Sequence, residues 1–299
     1  MKTNDGRTDI DTTTLDLGHV TVTLAVDAGP RVLGYARVGG PQLFASLPGE
    51  VIEHPAIGSF RFLGGHRLWL APEVPSVTYQ PDDGPVTLTE AAAGVELAGT
   101  PDPLGIAKAI ALTQHDRFTI VEHELHNEGP APVRCAPWAI TQFAPGGTAF
   151  LPQTREPADA DGVLPNRQVV LWPYTDLSQV EIEFRAADVV VHSSHRPSRS
   201  KVGLPNRRGW IAYLLGDELF VKWSKRHRDS EEYADCGASA QCYRDERFIE
   251  LETLGPLVTV NPGEHVSHRE VWTLIDVSQQ TVEEVLDALP SVPTRLIQR

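Results

Sequence analysis

The sequence has 299 residues, of which 41% are hydrophobic and 22% charged, so it can supply a sizeable apolar core. Asp and Glu (40) outnumber Lys and Arg (26), and the formal charge of −14 argues against nucleic acid or an anionic membrane as the main partner. No run reaches the roughly 18 apolar residues of a membrane-spanning helix, and the polar N-terminus lacks the apolar segment of a secretory signal. We therefore expect a cytoplasmic protein.

The dominant pattern along the chain is a series of short runs in which β-branched and aromatic residues alternate with polar ones. These runs lie at 19–27, 85–99, 117–127, 179–192, 209–215, 218–223, 247–254 and 268–277. Such alternation predicts strands with one buried face. Because Gly- and Pro-rich turns separate the runs and no βα alternation occurs, we predict an all-β fold, a large two-sheet antiparallel sandwich.

One segment near the C-terminus has helical periodicity instead. In residues 281–290 the apolar positions fall at i, i+3, i+4 and i+7: Val282, Val285, Leu286 and Leu289. Thr281 and Glu284 have the spacing of a capping box, and Pro290 would end the helix. We expect the apolar stripe to pack on the sandwich.

No change of composition marks a domain boundary. We therefore predict a single domain over residues 1–299, with a polar tail at 1–14 and the C-terminal helix and tail at 278–299. The polar stretch at 152–168 is predicted to be a long surface loop, either bordering a site or simply connecting strands.

Cysteines and histidines are the residue types that most often bind transition metals. Cys135, Cys236 and Cys242 are an odd number without CxxC spacing, so we expect free thiols, buried or partly buried, rather than disulfides or a zinc site. Three histidine pairs are spaced three residues apart: His123 and His126, His192 and His195, and His265 and His268. On strands that spacing places the two rings on opposite faces, so no metal site is predicted from these pairs, although a composite site from distant strands stays open.

The segment GGHRLWLAPE at 64–73 mixes residue types that suit a sugar. Aromatic faces cover apolar sugar faces, and Arg and carboxylate groups hold hydroxyl pairs, so Arg67, Trp69 and Glu73 are candidate substrate-binding residues. On an extended strand Arg67 and Trp69 share one face and His66 lies on the other. The alternative is a core tryptophan beside a structural Arg–Glu pair.

The segment RFIELETLGPL at 247–257 places two carboxylates, Glu250 and Glu252, on one face of a predicted strand. Ile249 and Leu251 would then face the core. Like charges this close raise at least one pKa, which suits proton transfer near neutral pH. The alternative is a solvated face, or pairing with arginines.

Two further segments are candidates for ligand contact. Trp138, in residues 135–147, is a candidate to stack on a sugar ring, with a core position as the alternative. Residues 221–237 contain a basic cluster: Lys222, Lys225, Arg226 and Arg228. This cluster would suit a phosphate or carboxylate, although a solvated strand end balanced by neighbouring acids is the more ordinary interpretation.

Segments 64–73, 137–147 and 248–274 together resemble the galactose-mutarotase-like superfamily, which includes aldose 1-epimerases and hexose-6-phosphate epimerases. The chain is most similar to a bacterial branch with motifs of the form GGHRLW.APE, PWA.T..APGG and F.ELETLGPL…PGE…E.W.L. The resemblance implies a two-sheet antiparallel super-sandwich with a shallow site on a concave face, and a small carbohydrate as the ligand.

The resemblance also implies catalytic roles. Aldose 1-epimerases use a strand-borne glutamate from a motif like LETQ as general base, so LET at 251–253 makes Glu252 the candidate base and Glu250 the fallback. Their general acid is a histidine, but the corresponding segment here, WAITQFAP, contains none, and His66 becomes the candidate acid.

The same resemblance implies two more residues that contact the substrate, and it also frames the hypotheses for the function. Arg67 resembles the arginine that orients substrate hydroxyls, and Lys201, in SKVG, is a further candidate contact. The leading hypothesis is a carbohydrate-binding protein with sugar 1-epimerase activity, which needs no cofactor. The alternatives are a non-catalytic sugar-recognition protein, and a lyase or hydrolase that acts on an acidic glycan through the basic cluster.

Overall fold

The computed structural model describes residues 10–55, 57–91, 94–178, 181–289, 292 and 294–297, and these residues are mostly β-strand, as predicted. The strands of the first half are β1 (Thr12–Asp16), β2 (Val20–Ala25), β3 (Val32–Arg37), β4 (Ser46–His54), β5 (Gly58–Gly64), β6 (His66–Ala71), β7 (Val86–Ala91), β8 (Gly94–Gly99), β9 (Ile106–His115), β10 (Phe118–Asn127) and β11 (Val133–Phe143). The strands of the second half are β12 (Thr148–Pro152), β13 (Val170–Leu171), β14 (Ile182–Phe184), β15 (Asp188–His192), β16 (Ser200–Leu204), β17 (Trp210–Leu215), β18 (Glu218–Ser224), β19 (Ala240–Arg244), β20 (Ile249–Leu254), β21 (Val258–Val260) and β22 (His265–Asp276).

Helices are short. They are α1 (Pro75–Thr78), α2 (Val282–Asp287), α3 (Thr294–Ile297) and a 3₁₀ turn at Asp235–Gly237. The predicted C-terminal helix is α2, and Thr281 and Glu284 form the predicted capping box by exchanging backbone hydrogen bonds. Val285 and Leu286 are buried, as the apolar stripe requires, whereas Pro290 lies outside the described residues.

The strands form two large antiparallel sheets and one hairpin. The order in the first sheet is β1-β2-β3-β6-β11-β20-β19-β16-β13, with β21 added beside β11. The order in the second sheet is β14-β15-β12-β17-β18-β22-β10-β9-β8-β7, and β4 pairs only with β5. The predicted class, an all-β two-sheet antiparallel sandwich, is confirmed.

Three predicted boundaries differ from the structure. The run at 85–99 is a hairpin of β7 and β8, and the run at 179–192 turns between β14 and β15, where the Arg185 amide donates to the Asp188 carbonyl. In addition, β1 begins at Thr12, inside the predicted polar tail, because three consecutive β-branched threonines at 12–14 pair with β2.

Apolar side chains divide into three clusters that follow from the alternation along the strands. The main core lies between the two sheets and includes Leu68, Phe143, Leu251 and Trp272. A second cluster packs α2 and α3 on the far side of the second sheet. A third covers the opposite face of the first sheet, which we call the outer face, beneath the β4–β5 hairpin. The first sheet is therefore buried on both faces along its central strands.

Two consecutive glycines let the chain enter β6 close to its neighbours. Gly64 and Gly65 have φ values of 84° and 73°. A Cβ at Gly64 would lie 2.2 Å from the Ala45 carbonyl oxygen, and one at Gly65 would lie 2.3 Å from that of Val32. Only glycine fits both demands, and the resulting turn fixes which face of the sheet each side chain of β6 occupies.

Candidate active site on the outer face of the first sheet

Five adjacent strands, β6, β11, β20, β19 and β16, bring polar side chains to the outer face. Gln142 and Tyr243 lie directly opposite Glu250 on its two neighbouring strands, and Lys201 lies opposite Tyr243. Residues in such register share one face of a sheet. The outer-face cluster, as we call it below, consists of Arg67, Trp69, Trp138, Gln142, Lys201, Gln241, Tyr243, Glu250 and Glu252.

Glu252 is fully buried, and one of its oxygens holds two donors. Its Oε2 accepts hydrogen bonds from Trp138 Nε1 (2.7 Å) and from Lys201 Nζ (2.8 Å). The Lys201 ammonium also lies over the rings of Trp138 (4.6 Å) and Trp172 (4.7 Å). Burial raises the pKa of Glu252, and the ion pair with Lys201 counteracts that rise.

Glu250 is 8% exposed and has weaker partners. Its Oε1 accepts from Gln142 Nε2 at 2.8 Å, and Arg67 Nη2 lies 3.6 Å away. Burial, followed by the charge of Glu252, raises the pKa of Glu250 to about 8. Because Lys201 bonds Glu252 directly, the surroundings favour the charge on Glu252 and the proton on Glu250.

Arg67 is 1% exposed, and its guanidinium lies between two aromatic rings. The distances from Cζ to the ring centroids are 4.2 Å for Phe62 and 3.8 Å for Trp69. Burial, followed by the charge of Arg31, lowers the pKa of Arg67 to about 10, so the group is charged at neutral pH. The alternation predicted from the sequence places Arg67 and Trp69 together on this face, as found.

Several buried polar atoms of the outer-face cluster have no hydrogen-bond partner among the described residues. They are Arg67 Nε and Nη1, Gln142 Oε1, Gln241 Oε1 and Glu252 Oε1. Leaving a buried donor or acceptor unpaired costs about 1–3 kcal/mol. A ligand rich in hydroxyl groups would pair with these neighbouring donors and acceptors, and ordered water would do so when no ligand is bound.

The rim of the cluster contains residues that the sequence analysis did not single out. Trp172 and Tyr174 follow β13, and Tyr243 comes from β19; all three are partly buried. The motif WPY at 172–174, in which two aromatics flank a turn-forming proline, is a sequence signal for a candidate ligand contact. The sequence does not indicate which residues these aromatics would lie beside. Glu73, a predicted contact, is exposed beyond the end of β6 and accepts a hydrogen bond from Tyr79, so it belongs to the rim.

His66 lies on the opposite face of the sheet from Glu252 and is fully buried between the sheets. The expectation that it serves as the acid partner of Glu252 is therefore not met by the geometry. The reason is the strand alternation itself, because Arg67 occupies the outer face and its neighbour must point inward.

His66 belongs to a closed polar network between the sheets. His123 Nδ1 donates to the His268 carbonyl (2.8 Å), so its Nε2 accepts from His66 Nε2 (2.7 Å). His66 Nδ1 then accepts from Thr141 Oγ1 (2.8 Å). Burial lowers the pKa of His66 and of His123, which leaves both rings neutral.

Glu270 and Lys222 complete this inner network with an ion pair of 2.8 Å. Burial alone would raise the pKa of Glu270, but the charge of Lys222 holds it below its usual value. Ligand atoms of His66, His123 and Glu270 lie within 4.8 Å of one another, the composite arrangement left open above. In this structure the two histidines bond each other, and Glu270 bonds Lys222, Thr253 and Trp272, so all three side chains already have partners within the protein.

Two other sequence expectations change with the structure. Lys222 is not part of an exposed basic cluster, because strand alternation turns it into the inner network, whereas Lys225, Arg226 and Arg228 are exposed. The three cysteines are free, as expected, but only Cys135 and Cys242 are buried; Cys236 is exposed in the 3₁₀ turn. None of the helices in the described residues has the length and apolarity needed to cross a membrane.

Comparison with solved structures identifies the fold. A proposed aldose 1-epimerase of Escherichia coli K12 aligns with a TM-score of 0.58 and 11% identity, over 90% of this chain and all of that one. A galactose mutarotase-like protein of Lactobacillus casei aligns with a TM-score of 0.54 and 10% identity, over 89% of this chain and all of that one. A galactose mutarotase related enzyme of Lactobacillus acidophilus gives 0.53 and 7%, over 91% and 99%.

No family model and no curated protein sequence matches the chain. The structural likeness at these identities establishes the fold alone. The chain has the galactose-mutarotase-like fold implied by its motifs.

Proposed function

We propose that the protein binds a carbohydrate at the outer-face cluster and catalyses interconversion of its anomers, with Glu252 as general base and Glu250 as general acid. The observation that carries the proposal is the pair of buried carboxyls on one face of β20 with unequal surroundings. Lys201 stabilises the ionised form of Glu252, while Glu250 retains its proton. Carboxyls whose environments separate their pKa values have the properties of an acid–base pair.

These two carboxyl groups account for both proton transfers of the reaction. Glu252 Oε1 takes the proton from the anomeric hydroxyl while the bond between the anomeric carbon and the ring oxygen breaks. Glu250 gives its proton to that ring oxygen, and the open-chain aldehyde rotates before the steps reverse. Each positioned acid or base contributes roughly 10²–10⁴-fold. This assignment supplies the acid that the histidine-free segment at 138–145 lacks.

Recognition uses the unpaired polar atoms, since Arg67 and Gln142 carry donors and acceptors that sugar hydroxyls would satisfy. Trp69 and Trp138, predicted to contact the sugar, are buried with Arg67 and Lys201 over their rings, so their role is to hold these two cations in place. Since Glu252 is fully buried, partly buried rim side chains such as Tyr174 and Tyr243 would rotate aside to admit the sugar. The names of the structural neighbours, which refer to epimerases and mutarotases, support the same substrate class.

The test is NMR exchange spectroscopy of anomeric protons across free hexoses, pentoses and hexose phosphates. We expect the wild type to accelerate interconversion for at least one sugar, and Glu252→Gln and Glu250→Gln each to lose about 100-fold or more of that rate. Glu96→Gln, the same change at an exposed position of the second sheet, is the matched control and retains the full rate.

Two outcomes would contradict the proposal in different ways. Saturable binding without acceleration of any sugar would remove the catalytic part and leave the non-catalytic alternative. The absence of both binding and acceleration across the panel would remove the carbohydrate assignment at this cluster.

A further inference from the structure

The outer-face cluster contains a second unpaired acceptor beside the proposed base. Gln241 of β19 lies directly opposite Glu252 of β20, so the two side chains leave the sheet about 5 Å apart on one face. Both side chains are fully buried, and neither Gln241 Oε1 nor Glu252 Oε1 has a hydrogen-bond partner among the described residues. Two buried oxygens that both accept hydrogen bonds require donors from a ligand or from water.

The amide of Gln241 is fixed with its oxygen free. Its Nε2 donates to a carboxylate oxygen of Asp235 at 2.7 Å and to the carbonyl oxygen of Ala238 at 3.0 Å. Both partners are acceptors, so the amide group that faces them is the NH₂, and a flipped amide would place oxygen against oxygen. Gln241 Oε1 is therefore held as an acceptor beside Glu252.

The turn before β19 holds Asp235 in this position. Asp235 and Cys236 have φ values of 51° and 56°, in the left-handed region that few residues other than glycine adopt. Gln168, from the loop predicted at 152–168, donates to the Cys236 carbonyl at 2.6 Å. Backbone conformations of this kind persist where the surrounding contacts determine them. The long loop therefore supports the side of the cluster on which Gln241 lies.

The position of Gln241 relative to the proposed acid indicates which sugar atom it meets. Glu250 is bonded to Gln142 on β11, whereas Gln241 lies on β19, the other neighbour of β20. With the anomeric hydroxyl at Glu252 and the ring oxygen at Glu250, the other neighbour of the anomeric carbon, C2, lies towards β19. A ring oxygen has no hydrogen to donate to Gln241, whereas a hydroxyl at C2 has one.

We infer that Gln241 recognises the C2 position of the sugar, accepting a hydrogen bond from the C2 hydroxyl while Glu252 accepts one from the anomeric hydroxyl. The inference rests on the proposed function, which places the anomeric carbon. It narrows the substrates to aldoses with a hydrogen-bond donor at C2 and makes Gln241 a specificity-determining residue. A site that hydrogen-bonds a substrate hydroxyl discriminates against analogues without it, because the buried acceptor is then left unpaired.

The test compares anomer exchange of three sugars: the aldose with a C2 hydroxyl that exchanges fastest in the panel above, its 2-deoxy analogue and its 2-deoxy-2-fluoro analogue. Each kcat/KM is divided by the uncatalysed rate constant of the same sugar, because the C2 substituent changes that rate constant too. We expect the wild type to prefer the parent sugar over either analogue by about tenfold to 100-fold. The fluoro analogue nearly keeps the size of the hydroxyl but has no hydrogen to donate.

Three variants assign this preference to Gln241. Gln241→Met nearly keeps the size of the side chain and removes the acceptor, so its rate with the parent sugar should fall to that of the analogues, whose rates hardly change. Asp235→Ala keeps Gln241 but removes one of the two acceptors that orient its amide, so it should lower the preference by less. Gln280→Met, the same change at an exposed position after β22, is the matched control and keeps the full preference.

The outcomes separate this inference from the proposed function. Equal acceleration of the parent sugar and both analogues would overturn the inference and leave the acid–base pair intact. A preference that is the same in Gln241→Met and Asp235→Ala as in the wild type would assign recognition of C2 to another residue and overturn the role of Gln241. Absence of exchange for every sugar in the panel would refute the proposed function, and the inference with it.

Discussion

The two faces of the first sheet bury polar groups in opposite ways. On the inner face, Thr141 accepts a bond from Lys222 and donates to His66, and within the described chain no polar atom of these side chains lacks a partner. On the outer face, the next residue, Gln142, leaves its Oε1 unpaired, as does Glu252. Satisfied buried networks hold a fold together, whereas unsatisfied ones mark places where something else binds.

The contrast extends to two buried Lys–Glu pairs with the same separation. Lys222–Glu270 and Lys201–Glu252 both have N···O distances of 2.8 Å. The pKa of Glu270 is lowered and that of Glu252 is raised. Burial raises the pKa of Glu252 more than Lys201 lowers it, whereas around Glu270 the favourable charges outweigh burial, so only the outer ion pair is poised to accept a proton.

The largest expected effect comes from breaking each pair. Lys222→Met leaves Glu270 charged and unpaired, so we expect a loss of about 3–5 kcal/mol in the free energy of unfolding. Lys201→Met should cost less, about 1–3 kcal/mol, because Glu252 can take up a proton instead. Urea unfolding of both variants at neutral pH measures the difference. Equal losses would show that the two faces do not differ in this way.

On the outer face, Glu250 should lower the free energy of unfolding as the pH rises. The folded-state pKa of Glu250 is about 8, above its usual value of 4.5, so the folded protein binds the extra proton between these limits. Its contribution to stability therefore falls from about pH 4.5 to about pH 8, by up to about 1.4 kcal/mol per pH unit. Glu250→Gln removes this fall, and the stability of the variant relative to wild type should rise across the window.

Denaturant unfolding at several pH values between 5 and 8 measures that relative slope. The Glu96→Gln control should remain parallel to the wild type, since Glu96 is exposed. A Glu250→Gln curve that also runs parallel to the wild type would place the proton elsewhere and contradict the assignment of Glu250 as the acid.

On the inner face, His268 should make the free energy of unfolding increase as the pH rises. Burial lowers the pKa of His268 to about 3, so the folded protein holds this ring neutral. The stability it contributes is complete above about pH 6.5 and is lost as the pH falls towards about 3, at about 1.4 kcal/mol per unit. His268→Gln should flatten the acid side of the stability curve, whereas His126→Gln, at a partly exposed ring, should not.

Alternation along strands explains what the sequence could predict. It separated Arg67 and Trp69 from His66, and it placed Glu250 and Glu252 on one face, because a period of two follows from strand geometry alone. The same rule, applied to KW at 222–223, could have turned Lys222 inward. The charged run that follows, by contrast, suggests a solvated strand end, and the two signals conflict at this position.

Contacts between distant strands explain what the sequence could not predict. His66, His123 and Glu270 come from β6, β10 and β22, and their contact depends on how one sheet packs on the other. Trp172 reaches Lys201 from a short strand end after a long loop, where no periodicity exists to read. Register and sheet packing are set by the whole core, so short-range patterns do not determine them.

The smallest effects test adjacent residues of β11 that face opposite ways. Gln142→Leu removes a hydrogen bond to Glu250 that lowers its pKa, so the alkaline limit of anomer exchange should move upward by less than about one pH unit. Thr141→Val removes a link between Lys222 and His66, and should cost about 1–3 kcal/mol in stability while leaving that limit in place. A pH profile of exchange and a urea titration of each variant measure both. If Thr141→Val moved the pH limit as far as Gln142→Leu, the inner network would be part of the proton-transfer machinery, and the separation between a structural face and a chemical face would fail.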